Sequence, residues 1–563
     1  MITDKKHIQQ LASLLLQKGI TDVVISPGSR NAPLINQFSG LKEFNCINVV
    51  DERSAGYLAL GVALARKKPV VVVCTSGTAA VNYGPAVAEA FYQKIPLVVL
   101  TADRPQRWID QADGQTVRQE NLFVNHTLKS ISLQEAERDD DFRYNNLQIN
   151  ETLNLVGSAS PGPVHINIPM GEPLYGFSDD RLPVFRNIES APVHFQLASG
   201  ELKKLAERWN SSGQKMIIVG QMPEDEKINA LVQRLAQDSG TAILAEHITN
   251  LSGEQLIRAT DIAVAAIPSA ENRDFQPEIL LTFGQQIVSK RLKLFIRANQ
   301  PREHWHISAS GEHTDTYNSL TRVISSDVFS FLGAFVPEIK NSESKFREMW
   351  KSLEQKAFQL QDKFLKDAPF CDLTASKIIA ELVPENSVVH LGNSSSVRLI
   401  QMFAARQGCE YPGNRGTSGI DGSLSTAGGF AMFSGKINTL VVGELSFFYD
   451  SNALWNLNFP KNLRIIVLNN GGGNIFRLIG GPRQSPALEE HFVARHNLKA
   501  EGLAAAYGIS YLKAENQQQL TEALNTIYTP GFSGPVILEV WSDGETSAAV
   551  FQECYNQFKT ATL

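Results

Sequence analysis

At 563 residues the chain is longer than a single hydrophobic core can grow, and about three domains are expected. A composition with 43% hydrophobic and 20% charged residues is that of a folded globular protein, which excludes fibrous and disordered classes. The 52 Lys and Arg against 58 Asp and Glu leave a net charge of −6, so no basic field favours nucleic acid or an anionic membrane.

The chain opens on "MITDKKHIQQLASLLLQKGI", an amphipathic helix whose polar residues interrupt any signal-peptide core. Short β-branched runs then alternate with helical patterns, which predicts α/β domains with parallel sheets. In the first third, strands are expected at "DVVIS", "INVV", "VVVVCTSG", "IPLVVLTAD" and "PVHINIP". Between them, "SAGYLALGVALARKK" and "TAAVNYGPAVAEAFYQ" read as helices. Residues 171–193, rich in Pro, Gly and charge, read as a linker. Strands "KMIIVG", "TAILAE", "DIAVAA" and "EILLTFG" follow, then a solvated helical connector at "KNSESKFREMWKSLEQKAFQLQDKFLKD". The last third has strands at "SVVHLG", "TLVVGE", "RIIVLNN" and "PVILEVW". No apolar run approaches the roughly 18 residues of a membrane span. The five cysteines are scattered with no CxxC, so a reducing, cytoplasmic setting is expected.

Ligands of open α/β sheets bind beyond the carboxyl ends of the strands, so those ends carry the chemistry. There is no GxGxxG after a strand and no GxxxxGK[ST]. Instead "TLVVGE" ends in Glu444, and "RIIVLNNGGG" ends in Asn469, Asn470 and three glycines. One strand–helix–strand unit fits between them, which places both polar ends on one sheet edge. Alone, Glu444 fits a helix cap and Asn470 a turn. Together they offer hard oxygens for Mg²⁺, with glycines that admit phosphate to the backbone N–H groups. Glu52 precedes a helix of small residues, where burial would raise its pKa; a helix-start acid is the equal alternative. Arg30, Arg104, Arg398, Arg415 and the pair Lys290–Arg291 gather cations near strand ends in an acidic chain, which points to small polyanionic ligands.

These stretches carry a family resemblance. "GELS…LNNGG" is similar to the diphosphate–metal motif of thiamine diphosphate enzymes, and "DERSAGYLALG" to their pyrimidine-side glutamate and helix. More narrowly, "SPGSRNAPL", "DERSAGYLALG", "LTADRP", "GNSSSVRL" and "NRGTSGIDG" resemble the MenD family of menaquinone synthesis. The match is strong in the first and last thirds and weak in the middle, where it rests on "SKR" at 289–291.

The resemblance implies three doubly wound parallel-sheet domains: pyrimidine-binding at 1–180, central at 190–340 and diphosphate-binding at 365–563. It implies thiamine diphosphate with Mg²⁺ (or Mn²⁺) and a homodimer or homotetramer with cofactor between chains. Glu52, Arg30, Gln115 and Arg415 would be catalytic, with Glu52 promoting the imino tautomer of the cofactor. Asn393, Ser394, Ser418, Gly419, Ile420, Leu445, Ser446, Asn470 and Phe476 would also touch the cofactor, and Ile420 would wedge it. Glu444, Asn470 and the Gly472 carbonyl would hold the metal. Arg30, Arg104, Gln115, Lys290, Arg291, Ser394, Arg398, Arg415, Ile475, Phe476 and Ile479 would bind the substrates, isochorismate and 2-oxoglutarate. The implied reaction is decarboxylation followed by Stetter-like conjugate addition. Two positions depart from the pattern: Glu444 stands where Asp is usual, and Gly114 where Asn is common. Other thiamine diphosphate decarboxylases, acetolactate-synthase-like enzymes and a non-catalytic diphosphate-binding subunit are the alternatives.

Overall fold

The computed structural model describes residues 1–179, 181–191, 197–268, 272–456 and 459–560. It forms two compact units, one of residues 1–192, 414–435 and 449–463, the other of 193–413, 436–448 and 464–563. Three parallel sheets run through them.

The first unit holds a six-stranded sheet of β1 (Asp22–Ile25), β2 (Asn45–Asn48), β3 (Val70–Cys74), β4 (Leu97–Asp103), β5 (Ser130–Ser132) and β6 (Val164–Pro169), in the order β2-β1-β3-β4-β6-β5. The second holds a sheet of β7 (Lys215–Val219), β8 (Thr241–Ala245), β9 (Ile279–Phe283), β10 (Glu303–Ser308) and β11 (Arg322–Ser325), ordered β8-β7-β9-β10-β11. It also holds β12 (Val388–Leu391), β13 (Asn438–Gly443), β14 (Leu463–Asn469), β15 (Ser510–Ala514) and β16 (Val536–Trp541), ordered β12-β13-β14-β16-β15. Central strands such as "VVVVC" and "ILLTF" are buried on both faces, which is why they read as unbroken apolar runs.

In the first unit, helix Glu52–Arg66 lies against helix Ser423–Phe433 at backbone contact. A Cβ on Gly61 would stand 2.0 Å from the Thr426 carbonyl oxygen, and one on Gly429 would stand 2.0 Å from that of Leu58. Only glycine permits this approach at either position.

Four local expectations differ from the structure. "DIAVAA" is no strand: Thr260–Ala265 is a helix, since a short apolar run is ambiguous by pattern and its alanines favour the helix. The connector helix Phe346–Leu365 is not merely solvated; Phe346, Trp350, Leu353, Ala357 and Leu365, at spacings of three, four and eight, bury one stripe in the core. "TAAVNYGPAVAEAFYQ" breaks into helices Thr78–Asn82 and Gly84–Gln93, the second with proline in its first turn. The expected linker is tied down: Phe177–Ser178 pairs with Ile2–Thr3, and the Phe185 and Ile188 carbonyls accept bonds from Gln17 and Lys18. Residues 180, 192 and 193 of it lie outside the described residues.

Candidate active site

In the first unit, the turn after β2 places Asp51 and Glu52 at the start of helix Glu52–Arg66. Asp51 is the cap, accepting the Ser54 N–H at 2.8 Å. That frees Glu52 from capping. Its half-buried carboxyl has a pKa raised chiefly by burial and further by Asp51. A carboxyl held nearer neutrality can share a proton with a ring nitrogen.

Arg30 and Arg104 rise near the carboxyl ends of β1 and β4. Arg30 is buried, donates to the Met170 carbonyl at 3.0 Å and pairs with Glu172 at 3.1 Å. Burial lowers its pKa, and the charge of Arg104 lowers it further, so the two cations share one region. Arg104 in turn donates to the Gly114 carbonyl at 3.1 Å, which fixes the turn carrying Gln115. Gln115 is exposed at φ 55°, a left-handed backbone rare outside glycine and asparagine. The neighbouring Gln119, which sequence reasoning passed over, is buried and accepts the Gly77 N–H at 2.8 Å while donating to the Ala102 carbonyl.

The loop 413–422 carries Arg415, Ser418, Gly419 and Ile420. Its anchor is Glu89, also absent from the sequence reading. Glu89 is buried in helix Gly84–Gln93 and accepts the Gly416 N–H (2.6 Å), the Thr417 N–H (2.7 Å) and the Thr417 hydroxyl (2.7 Å). Burial raises its pKa against those bonds. Ser418 sits at φ 63°, Arg415 is buried, and Ile420 leaves an apolar side chain 39% exposed. An exposed isoleucine held on a rigid polar loop is suited to press on an apolar ligand face.

In the second unit, β13 and β14 are neighbours, so Glu444 and Asn470 do emerge on one edge. Glu444 is buried, and its Oε1 accepts the Gly472 N–H at 2.8 Å with His496 Nε2 3.4 Å away. Burial pushes its carboxyl up; His496 opposes that. Asn470 donates Nδ2 to Asp372 Oδ2 at 2.7 Å, which leaves its Oδ1 buried without a hydrogen-bond partner. A carboxylate and an orphaned amide oxygen, with a glycine carbonyl nearby in the chain, form a donor set that fits a hard divalent cation. Among the described residues no group of three His, Cys, Asp or Glu side chains is arranged for a metal, so such an ion would need this mixed set. A Cβ on Gly472 would stand 2.6 Å from the Val493 carbonyl oxygen, so this turn is closed to larger residues. Leu445 and Ser446 follow in the helix opened by Glu444, Ser446 buried.

Lys290, Arg291, Arg398, Ile475 and Ile479 line a single cavity of this unit. Arg291 pairs with Asp261 at 3.1 Å and lies 3.8 Å over the Tyr555 ring, while the Tyr555 hydroxyl donates to Asp261 at 2.6 Å. Arg398 donates to the Ser394 carbonyl and has its pKa lowered by burial, opposed by Asp261 and Glu246. Ser394 stands at φ 70° and, like Phe476, is not part of the cavity wall; Asn393 is buried. Phe476 packs against Phe492, ring centroids 5.6 Å apart. His304 and His306 instead share the Thr282 hydroxyl inside the middle sheet, each at 2.9 Å, a core network.

Three thiamine pyrophosphate enzyme families match in sequence: the N-terminal TPP binding domain over residues 6–125, the middle domain over 195–391 and the C-terminal TPP binding domain over 392–540. The chain is 41% identical over 571 aligned positions to the 2-succinyl-5-enolpyruvyl-6-hydroxy-3-cyclohexene-1-carboxylate synthase of Bacteroides thetaiotaomicron, covering 99% of this chain and 100% of that one. It is 39% identical to the synthase of the same name from Phocaeicola vulgatus, covering 99% of each. The fold is similar to that of benzoylformate decarboxylase from Polynucleobacter necessarius, with a TM-score of 0.70 at 16% identity, over 97% of this chain and 99% of that one. The chain therefore belongs to the 2-succinyl-5-enolpyruvyl-6-hydroxy-3-cyclohexene-1-carboxylate synthase family of thiamine diphosphate enzymes.

Proposed function

We propose that this protein decarboxylates 2-oxoglutarate on thiamine diphosphate and adds the resulting four-carbon unit to isochorismate, releasing CO₂ and the family product. The observation that carries the reading is the full-length match, 41% identical end to end. Thiamine diphosphate supplies, when bound, the centre that accepts the 2-oxo group and holds the electron pair left by CO₂.

The chain's own residues then have definite tasks. Glu52 holds a proton against the aminopyrimidine, a task suited to its raised pKa. Ser418, Gly419 and Ile420 support the ring system from the loop that Glu89 anchors. Asn393, Ser394, Leu445, Ser446 and Phe476 line the cofactor, and Glu444, Asn470 and the Gly472 carbonyl hold Mg²⁺ or Mn²⁺ against its diphosphate. Both substrates are dicarboxylates. Arg30, Arg104, Gln115, Lys290, Arg291, Ser394, Arg398, Arg415, Ile475, Phe476 and Ile479 are the residues that serve them. Guanidinium forks match carboxylates bidentately, which favours these substrates over pyruvate.

We also assign the pyrimidine-binding, central and diphosphate-binding domains to 1–180, 190–340 and 365–563. Assembly as a homodimer or homotetramer with cofactor between chains, in the cytoplasm, completes the proposal. Among the described residues no helix is long and apolar enough to cross a membrane. Turnover of 2-oxoglutarate with thiamine diphosphate and Mg²⁺, with and without isochorismate, tests it. The adduct should form only with both substrates; equal turnover of pyruvate would overturn the assignment.

A further inference from the structure

An asparagine that serves a metal must present its oxygen, yet its amide oxygen and nitrogen are nearly the same size. Which of them faces the ion is set by what holds the other. Here the holder is Asp372, the buried first residue of helix Asp372–Leu382. Its backbone N–H donates to the Ser547 hydroxyl at 3.0 Å, its Oδ1 accepts the Ser542 hydroxyl, and its Oδ2 accepts Asn470 Nδ2 at 2.7 Å. A carboxylate only accepts, so the reversed amide would set oxygen against oxygen and lose a charge-assisted bond. The orphaned Asn470 Oδ1 is the direct consequence.

We propose that Asp372 is a positioning residue for the divalent ion: by taking the Asn470 N–H it turns the amide oxygen toward the metal. This rests on the reading that Glu444 and Asn470 hold the ion. The ion's charge would otherwise be met, in a fraction of molecules, by an amide NH₂ that repels it.

The experiment is a Mn²⁺ titration of the full-length protein in thiamine diphosphate, followed by loss of the free-ion electron paramagnetic resonance signal. Asp372→Ala should weaken Mn²⁺ binding about 10–100-fold, the usual effect of removing the residue that orients a ligand. Asp372→Asn should stay within about threefold, because its amide oxygen can accept the same N–H. The deciding background is Asn470→Asp, whose two oxygens are equivalent, so no orientation remains to be chosen. There Asp372→Ala should cost no more than about threefold. An equal penalty in both backgrounds would make Asp372 a fold residue only, and Asp372→Asn as weak as Asp372→Ala would make its charge the operative property; either overturns the proposal. Glu444→Ala separates the two levels. If it leaves Mn²⁺ affinity intact, the metal site itself is misassigned; if it abolishes binding while Asp372→Ala does not weaken it, only the positioning role fails.

Discussion

Glu89 makes three hydrogen bonds to a loop that the proposed function places under the cofactor, so its replacement should be read in cofactor affinity. The three bonds are not equal. Gly416 is buried, whereas Thr417 is exposed and its N–H can turn to water. Glu89→Ala takes from the Gly416 N–H its 2.6 Å acceptor, and a buried donor so deprived costs about 1–3 kcal/mol. If that energy orders the loop for ligand, thiamine diphosphate should bind roughly 5–150-fold more weakly. Glu89→Gln keeps one oxygen for Gly416 and turns its NH₂ toward Thr417, whose hydroxyl can reverse to accept. It also removes a carboxyl whose ionisation burial opposes. Its affinity should stay within about threefold of the parent. The assay is quenching of tryptophan fluorescence by thiamine diphosphate at fixed Mg²⁺, with melting temperature as the fold control. Two results would refute the reasoning: Glu89→Ala binding like the parent, or Glu89→Gln failing as badly as Glu89→Ala. The second would mean that charge beside Arg415, and not the bonds to the loop, is what Glu89 contributes.

Glu52→Gln should lower turnover about 10²–10⁴-fold while cofactor still binds, since the amide keeps the shape but cannot exchange the proton; near-normal decarboxylation in a stopped assay would remove Glu52 from the chemistry. The same variant has a stability signature. The folded pKa of Glu52 lies above its ordinary value near 4.5, so the native state binds the proton more tightly than the unfolded chain. Its contribution is present below the ordinary pKa and lost as pH rises through the folded one. Cofactor-free Glu52→Gln should therefore melt above the parent at pH 7, with the gap closing below pH ~4.5. Arg291→Ala and Arg398→Ala should raise the KM for a dicarboxylate roughly 10–100-fold, from about 1.5–3 kcal/mol per charge-assisted bond, with thiamine diphosphate affinity nearly unchanged. Equal losses for both ligands would place these arginines on the diphosphate.

The fold class was legible because parallel strands buried on both faces leave unbroken β-branched runs, and "VVVVC" or "LRIIVLN" allows few other readings. "DIAVAA" misled because six residues are too few for a period to show. Edge strands such as Ser130–Ser132 and Arg322–Ser325 were invisible since they are short and only one of their residues, Ile324, is fully buried, so no apolar run marks them. Residues at strand ends could be found by position: Glu444 and Asn470 share an edge because β13 and β14 are neighbours. What position could not reveal were the groups that orient them. Asp372 and Glu89 lie on helices, 98 residues from Asn470 and 327 from Gly416, with no local pattern marking them. A buried acid in a helix looks like a surface acid until its partners are known. The strand-end position that exposed Glu444 has no counterpart for them.

The glycine contact between helices Glu52–Arg66 and Ser423–Phe433 joins two parts of the chain that are made far apart in time. Residues 414–435 and 449–463 of the first unit leave the ribosome only after the 413 − 192 = 221 residues that follow its N-terminal segment. At about 5–20 residues per second that is a delay of roughly 11–44 s. Throughout it, the face of Gly61 that will meet the Thr426 backbone has no partner, and neither does Glu89 for the loop it will anchor. The nascent chain thus carries a half-built layer whose missing piece is encoded downstream of the whole middle sheet. A chain cut short within that interval keeps this face of helix Glu52–Arg66 uncovered, the kind of transiently exposed surface that favours aggregation.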